Sequence, residues 1–277
     1  MGKRWIKLLT EDGIFQVQDN IQGLIFLDAK PSYPVSVTNN TSINGVDGEL
    51  PNAISFAPFT LTVRFGIDGI DQASVDLAEQ KARSIFNRRK HYYVTHSQMP
   101  GIKYLVGNPD VSPEIKDFSA IELEMNFPVV KGYSESLMTT DDFSLNSDYW
   151  QFGNGLKTDS DISYVHSKRK FKIFNGSSDT VTPIHRHHLI IKMNVKAPNG
   201  FILHNKTTGD KFEYKKAIRD NDTIILNGVY PFKNKKRCGI DTNWEYITLA
   251  PGYNDFEVLG DGVIVKEIKF TFNYVYR

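Results

Sequence analysis

The chain has 277 residues and a mass of 31.5 kDa, enough for one large domain or two domains of ordinary size. Its 40% hydrophobic and 23% charged residues allow a buried core and exclude an intrinsically disordered protein. The formal net charge of +1 argues against a dedicated nucleic-acid-binding protein. The 18 Phe and 13 Tyr favour β structure.

The N-terminal segment lacks the pattern of a targeting signal. Charge returns at Glu11, too early for a secretory apolar region, and Ile6 stands where a myristoylation motif needs Ser or Thr. No apolar run reaches the roughly 18–20 residues of a membrane span. One cysteine, Cys238, excludes an intramolecular disulfide and a cysteine-based zinc cluster. These features predict a protein made in a reducing cytoplasm, without a membrane anchor.

The first 135 residues contain short segments typical of strands. The pattern is clearest at 121–127, where a period of two places alternate apolar residues on one buried face. The residues predicted on that face are Ile121, Leu123, Met125 and Phe127. Segments 24–27, 34–37 and 59–65 are also rich in β-branched and aromatic residues, which favours strands there.

One segment, residues 74–89, has the periodicity of a helix. Its apolar residues recur at steps of three and four: Val75, Ala78, Ala82, Ile85 and Phe86. Ser74 is the predicted N-cap, and the basic residues 88–90 suit the C-terminal end of the helix dipole. A single helix packed on a sheet makes this half of the chain α+β.

Polar and turn-forming segments between residues 131 and 160 predict a boundary between domains near Tyr133. The predicted domains are 1–133 and 134–277, with charge balances of 13 − 15 = −2 and 20 − 17 = +3. The second domain shows strand-like segments spaced by roughly 8–12 residues, which indicates an antiparallel β-sandwich. The segments are 171–174, 189–195, 201–204, 211–214, 223–226, 255–259 and 264–274.

The most enzyme-like motif is the run of histidines at 185–188. On a strand, His185 and His187 would share a face about 6–7 Å apart, close enough for two metal ligands. His166 or His204 could then supply a third ligand. The other interpretation, a polar start to the strand that follows, is favoured because no strong ligand spacing is present.

Other catalytic patterns are missing from the sequence, which has no nucleophile motif, P-loop or dinucleotide fingerprint. Cys238 follows the basic run 235–237, which could activate its thiol but is more simply a solvated charge cluster. The carboxylates at 141–142 and those of Glu122 and Glu124 are interpreted as solvated side chains. The sequence therefore predicts no catalytic residue, no cofactor and no metal site.

Aromatic residues in loop-like contexts suggest a possible saccharide site. Trp150, Tyr230, Trp244 and Tyr246 occur in such contexts, and exposed aromatic rings can stack on the apolar faces of sugars. Of these, Tyr230, Trp244 and Tyr246 are the candidate saccharide-binding residues. The alternative, which we favour at this stage, is that the rings cover the ends of the sandwich or lie in a subunit interface.

Several motifs follow one another along nearly the whole chain. They are a Gly-x-Asp-Gly turn at 45–48, the strand 59–65, the helical segment 78–83, the strand ending at Phe127, and the segments 150–156, 173–179 with Pro183, 205–212 and 249–254. In this order they resemble the distal tail protein (Dit) family of long-tailed, non-contractile phages of Gram-positive bacteria. The most specific motif is the Pro-Gly-Tyr-Asn turn at 251–254.

The resemblance implies a non-enzymatic, mainly β protein of the virion. Residues 1–133 would be a ring-forming belt with one helix, and residues 134–277 a galectin-like antiparallel β-sandwich. Family members form rings, typically hexamers, that join the tail tube to the tip or baseplate. The implied partners are further copies of the chain, the tail tube protein, a tail-associated tip protein and a receptor-binding protein, with no specific nucleic acid and no membrane.

The implied location is the phage tail tip, after synthesis in the cytoplasm of the bacterial host. An alternative function is a carbohydrate-binding module that recognises host cell-wall saccharide through the C-terminal sandwich. An enzyme, either a metal-dependent hydrolase or a glycosidase, is the least favoured hypothesis because no catalytic constellation is evident.

Overall fold

A computed structural model describes residues 4–143, 150 and 162–277. These residues form a mainly β protein with one α-helix, which confirms the predicted fold class. The chain divides into two compact units, Met1–Ser134 with Arg277, and Glu135–Tyr276. No helix in the described part of the chain is long and apolar enough to cross a membrane.

The first unit contains twelve strands and the helix α1 (Gln72–Phe86). The strands are β1 (Ile6–Thr10), β2 (Gly13–Gln16), β3 (Leu24–Pro31), β4 (Ser36–Val37), β5 (Thr41–Ser42), β6 (Glu49–Leu50), β7 (Ser55–Phe56), β8 (Phe59–Asp68), β9 (Tyr92–His96), β10 (Ile102–Val106), β11 (Asp110–Asp117) and β12 (Ala120–Val129). A one-turn 3₁₀ helix spans Val17–Asp19. The main sheet is antiparallel, in the order β2-β1-β9-β10-β12-β8-β3, and β11 also pairs with β12.

The long strands β8 and β12 form the centre of this sheet. They pair over their whole length, with Phe127 opposite Leu61 and Leu123 opposite Phe65. The four residues predicted to share a face of β12 are all buried, because alternate side chains of a strand point to the same side. Helix α1 packs on this face, where the ring of Phe86 lies 5.6 Å from Phe65 and 5.7 Å from Phe127.

The N-cap of the helix lies three residues before the predicted one. Asp71, not Ser74, is the N-cap: its carboxylate accepts the backbone N–H of Ser74 at 2.9 Å, and the Ser74 hydroxyl accepts the N–H of Asp71 at 3.1 Å. This reciprocal capping box satisfies two donors that the first turn leaves unpaired. The helix ends at Phe86, so the basic residues 88–90 follow it, and Ile85 is only half-buried.

Twelve strands follow residue 133 in the described part of the chain, and ten of them form two antiparallel sheets. They are β13 (Ser134–Ser136), β14 (Val165–His166), β15 (Lys170–Asn175), β16 (Leu189–Lys196), β17 (Phe201–Asn205), β18 (Lys211–Tyr214), β19 (Ile224–Asn227), β20 (Tyr230–Lys233), β21 (Lys236–Arg237), β22 (Gly252–Leu259), β23 (Ile264–Phe272) and β24 (Val275–Tyr276). Short 3₁₀ helices lie at Thr140–Asp142, Pro183–His185 and Gly239–Asp241. One sheet has the order β14-β23-β16-β19-β20-β21, and the other has the order β15-β22-β17-β18.

Aromatic rings join the two sheets of the second unit. The ring of Phe270, from the first of these sheets, lies 4.9 Å from Phe256 and 6.1 Å from Phe171 of the other. Each of the seven predicted segments in this half overlaps a strand, although β19 begins at Ile224 rather than at residue 223 and β23 ends at Phe272 rather than at residue 274. The predicted antiparallel sandwich is therefore confirmed.

The turn at 251–254 is fixed by a buried asparagine. Gly252 has a φ of 88°, a region that glycine enters without steric cost. The Asn254 side chain donates to the carbonyl oxygen of Ala250 at 2.8 Å and accepts the N–H of Ala250 at 2.9 Å. Asn205 donates to the same Asn254 oxygen at 3.1 Å, so two of the turn motifs noted in the sequence meet in one network.

Candidate functional site

Two of the aromatic residues singled out in the sequence line one surface groove of the second unit. Tyr230 and Trp244, 54% and 75% exposed, are its main side chains. The groove, here called the aromatic groove, has a volume of about 420 Å³, which is in the size range of small-molecule sites. Its remaining lining residues are Val229, Pro231, Arg237 and Gly239. The lining is therefore apolar and aromatic, with one cationic side chain.

The β20–β21 hairpin forms one wall of the aromatic groove. Its two-residue turn, 234–235, has positive φ angles of 49° and 68°, the combination that matches the twist of a tight hairpin. The backbone N–H of Cys238 donates to the carbonyl oxygen of Pro231 at 3.0 Å and continues the pairing beyond the hairpin. This arrangement places the Arg237 guanidinium 5.1 Å from the centre of the Tyr230 ring, a cation–π contact.

Hydrogen bonds hold the loop that forms the opposite wall. The Thr242 hydroxyl donates to the carbonyl oxygen of Gly239 at 2.8 Å and accepts the backbone N–H of Trp244 at 3.2 Å. The Asn243 side chain donates to the carbonyl oxygen of Lys211 on β18 at 2.6 Å. The two Thr242 bonds are partly buried, and the Asn243 bond is exposed. The groove is thus formed before any ligand binds.

Trp244 has an unusual backbone conformation for a large side chain. Its φ is 64°, in the left-handed region that favours glycine. Residues held in such regions cost of order 1–3 kcal/mol and are concentrated at functional sites. Gly239 lies directly under the ring, because a Cβ at that position would be 2.8 Å from the Trp244 Cζ3 atom. No described residue accepts the indole N–H, which a ligand could therefore use.

The one charged residue in the lining of the aromatic groove, Arg237, is basic. Lys233 pairs with Asp222 at 3.1 Å. Within the ranges that the structure describes, Arg237, Lys235 and Lys236 have no carboxylate at ion-pair distance. The sequence analysis treated this basic run as a solvated cluster and missed Arg237 as a groove residue. The signal was the short hairpin turn at 234–235, which folds Arg237 back beside Tyr230.

The other candidate aromatic residues lie elsewhere. Tyr246 is half-buried and does not line the aromatic groove, so the structure brings together two of the three predicted saccharide-binding residues. Trp150 is buried beside Phe143 and Tyr274, at ring distances of 5.1 and 5.2 Å, and its indole N–H donates to the Asp142 carbonyl oxygen. Residues 151–156 of the motif that begins at Trp150 lie outside the described residues.

The histidine run is not on a strand, which corrects the metal-site geometry expected from alternation. His185 ends a 3₁₀ helix, and Arg186 adopts the left-handed conformation with a φ of 61°. His187 is buried, and its Nδ1 accepts the backbone N–H of Thr182 at 3.1 Å, a structural bond that occupies this nitrogen. Among the described residues, no three His, Cys, Asp or Glu side chains are placed to hold a metal ion.

The remaining polar candidates take part in local structure. Cys238 is buried, and this burial raises the pKa of its thiol, with Asp241 adding to the effect. Asp141 accepts a hydrogen bond from the Thr271 hydroxyl at 2.5 Å and pairs with Lys269 at 3.2 Å. Glu122 pairs with Arg64 at 3.4 Å on the polar face of the first unit's sheet. The buried position of Cys238 corrects the expectation of a cysteine in a solvated basic loop.

A second feature of interest is a hairpin arm in the first unit, residues 32–58. Its four short strands pair only with one another, β4 with β7 and β5 with β6. Asn52 joins the two halves by donating to the carbonyl oxygen of Asn39. The tip is the predicted Gly-x-Asp-Gly hairpin turn, in which Gly45 and Gly48 have φ angles of 83° and 85°. Only residues 36–37 of the predicted strand 34–37 form a strand.

The hairpin arm exposes an unusual amount of apolar surface. Eight of its large apolar side chains are exposed: Tyr33, Val35, Val37, Ile43, Val46, Leu50, Ile54 and Phe56. Between residues 32 and 58 the sequence has no Lys, Arg or His, and its only charged residues are Asp47 and Glu49 at the tip. Contiguous apolar surface of this kind marks an interaction site in a soluble protein. Sequence reasoning missed the arm because its two-residue strands show no periodicity.

One titratable residue lies in the core of the first unit without a polar partner. His96 is 1% exposed, and neither ring nitrogen has a hydrogen-bond partner among the described residues. Its ring stacks on Tyr104 at 5.9 Å and lies 6.1 Å from Phe26. Burial lowers the pKa of His96 to about 4, because the charged imidazolium would have to exist without solvent.

Comparison with known proteins finds a family match within the first unit. Residues 4–127 match the family model of the phage tail protein RIFT-related domain. This range contains α1, the hairpin arm and the sheet as far as Phe127. No curated protein sequence matches the chain.

Comparison with solved structures concerns the whole chain. The crystal structure of the SPP1 Dit (gp 19.1) protein is similar with a TM-score of 0.66 and 11% identity, over 99% of this chain and 100% of that one. A chain of the phage p2 baseplate in its activated conformation with Sr matches with a TM-score of 0.42 and 10% identity, over 98% of both chains. The sequence resemblance and the structural comparison therefore agree: residues 4–127 match the phage tail protein RIFT-related domain, and the chain as a whole has the fold of the SPP1 Dit protein.

Proposed function

We propose that the protein is a structural hub of a phage tail tip, in which copies of the first unit form a closed ring. The single observation that carries this proposal is the hairpin arm, which exposes eight apolar side chains and whose strands pair only with one another. Burial against a neighbouring copy would remove this surface from water, at about 25 cal/mol per Å² of apolar area. In a ring, each copy would give its arm to one neighbour and receive an arm from the other.

The comparisons support a location of this ring in a phage tail. The SPP1 Dit protein is described as a paradigm of the hub adsorption apparatus in phages that infect Gram-positive bacteria. By analogy of fold, the ring would join the tail tube to tip and receptor-binding proteins, and the second unit would be a galectin-like sandwich on it. The matched family consists of phage tail proteins, which favours a virion component without enzymatic activity.

Light scattering and negative-stain imaging of the full-length chain test the ring. We expect a discrete oligomer at micromolar concentrations, typically a hexamer, and particles with a central hole. A monomer at every concentration, with no rings in the images, would contradict the proposal. The arm substitutions described in the Discussion test whether the arm closes the ring.

A second candidate function is saccharide recognition by the aromatic groove. The observation in its favour is the pairing of Tyr230 and Trp244 across one preformed groove of about 420 Å³. An exposed indole face can stack on a sugar ring, and its N–H can donate to a hydroxyl group. Such binding would let a tail-tip hub contact the wall of its host.

Calorimetric titration of the full-length chain with oligosaccharides from host cell walls tests this second function. Trp244→Ala should abolish the heat of binding, whereas Tyr246→Ala should leave it unchanged because Tyr246 lies outside the groove. No binding at millimolar ligand would contradict saccharide recognition and would leave the ring unaffected.

A further inference from the structure

We infer that the aromatic groove selects saccharides that carry an oxyanion, a phosphate or a carboxylate, over neutral saccharides. This inference rests on the second candidate function above and specifies the chemical class of its ligand. It follows from three observations: the charge of the groove lining, the free state of its one cation, and the position of that cation relative to the stacking surface.

The first observation is the sign of the charge inside the groove. Arg237 is the only charged residue among the six that line it, and none of the six is acidic. Beyond the lining, the exposed Lys236 precedes Arg237 on β21, and the exposed Glu245 follows Trp244 in the loop. Within the lining, a ligand anion would therefore meet only a cation, whereas a ligand cation would meet none of the carboxylates that it needs.

The second observation is that Arg237 has no carboxylate partner among the described residues. Among the described residues its guanidinium makes a single interaction, over the ring of Tyr230 at 5.1 Å. Arg64 shows the contrast, since it binds Asp28 and also lies 3.4 Å from Glu122. A guanidinium stacked on an aromatic face keeps its N–H donors in the plane of the group and free to bind an oxyanion in a bidentate manner.

The third observation is geometric. Tyr230 and Arg237 belong to one hairpin wall, and Trp244 belongs to the opposite loop, so the groove lies between a cation and an exposed indole. A sugar ring stacked on Trp244 would direct a substituent toward the hairpin, where Arg237 could bind it. The hydrogen bonds of Thr242 and Asn243 fix the loop, so little ordering is required on binding.

Calorimetric titration of the full-length chain with three matched probes tests the inference. The probes are a neutral glucose trisaccharide, the same trisaccharide carrying one phosphate, and the same trisaccharide carrying one carboxylate. We expect both acidic probes to bind at least about tenfold more tightly than the neutral one, because charge-assisted hydrogen bonds are roughly twice as strong as neutral ones. A preference for only one acidic probe would support the inference and identify the oxyanion.

Two variants test whether Arg237 causes the preference for the acidic probes. Arg237→Ala should lower the affinity for both acidic probes to that of the neutral probe, and Lys206→Ala, a matched loss of one exposed positive charge outside the groove, should change neither. Equal binding of neutral and acidic probes, with Trp244→Ala still abolishing it, would overturn the inference and keep saccharide recognition. No binding of any probe would overturn both.

Discussion

The hairpin arm of the first unit and the aromatic groove of the second both expose apolar side chains, but they do so in opposite ways. The arm spreads eight of them over 27 residues with no positive charge, on strands of two residues each and the segments between them. The groove concentrates two aromatic rings beside an arginine, and the hydrogen bonds of Thr242 and Asn243 hold its loop. A broad, weakly supported apolar surface suits another protein chain, whereas a small, rigid and charged one suits a small ligand.

The largest effect is expected from charge placed on the arm. Val46→Asp combined with Leu50→Asp should weaken self-association at least about a thousandfold, or ~4 kcal/mol, because each carboxylate would lose its water in an apolar interface. Both positions are exposed, so the fold should not change. Light scattering and circular dichroism measure the two outcomes.

The matched control for the arm lies in the other unit. Ile184 is also exposed, and Ile184→Asp adds a carboxylate without touching the arm. It should leave the oligomer intact. If the arm variant assembles as well as the unchanged chain, the arm is not the surface through which the copies associate, and its contrast with the groove fails.

Acid should destabilise the core of the first unit, which contains His96, and not the aromatic groove. His96 has a pKa of about 4 when folded and about 6.5 when unfolded, so between these values the unfolded chain binds more protons and stability falls as the pH falls. The expected loss for the first unit is about 2 kcal/mol at pH 5 and about 3 kcal/mol at pH 4. Hydrogen–deuterium exchange of β9 and β10 at these pH values measures it.

Two variants identify the group responsible for the acid effect. His96→Met should remove most of this pH dependence, because methionine fills a similar apolar space and cannot be protonated. His91→Gln removes an exposed histidine five residues away and should leave it unchanged. An unchanged acid response in His96→Met would show that another group carries the effect.

A smaller effect is expected from loosening the groove. Thr242→Val removes the hydroxyl that donates to Gly239 and accepts from Trp244, and should cost about 1–3 kcal/mol because two partly buried hydrogen bonds are lost. Thr242→Ser keeps the hydroxyl and should cost less. Urea unfolding followed by tryptophan fluorescence distinguishes the two, and equal losses would show that the methyl group matters more than the bonds.

The smallest expected effect on stability comes from Trp244 itself. Because its φ is 64°, Trp244→Gly should leave the free energy of unfolding unchanged or raise it by up to about 1 kcal/mol, while saccharide binding is lost. Thermal unfolding together with calorimetry measures both quantities. If the free energy of unfolding falls by more than about 1 kcal/mol, the packing of Trp244 stabilises the fold. The groove would then be part of the protein's packing and not a binding site.

Regular elements of the fold were predictable because their patterns are periodic. The face of β12 is clear because four apolar residues alternate over seven positions, and the strands of the sandwich are separated by recognisable turns. The helix cap was misassigned because Asp71 and Ser74 can both cap, and only the observed φ of −152° at Asp71 selects it. The boundary at residue 133 and the roles of the two domains stay predictions.

The functional features were harder to predict because they depend on irregular backbone. The histidine run appeared to alternate, but Pro183 begins a 3₁₀ turn and Arg186 adopts a left-handed conformation, so no strand forms there. Tyr230 and Trp244 were correctly chosen as exposed aromatic residues, yet their meeting with Arg237 depends on a two-residue turn and a left-handed residue. Neither feature has a periodic signal in the sequence.

The burial of Cys238 has a practical consequence for labelling. A thiol reacts through its thiolate, and burial both shields this sulfur and raises its pKa, so maleimide reagents should attack it slowly at neutral pH. The sequence contains no other cysteine. A cysteine introduced at an exposed arm position such as Val46 would therefore be the one fast-reacting thiol, and a fluorophore there would report assembly without any need to replace Cys238.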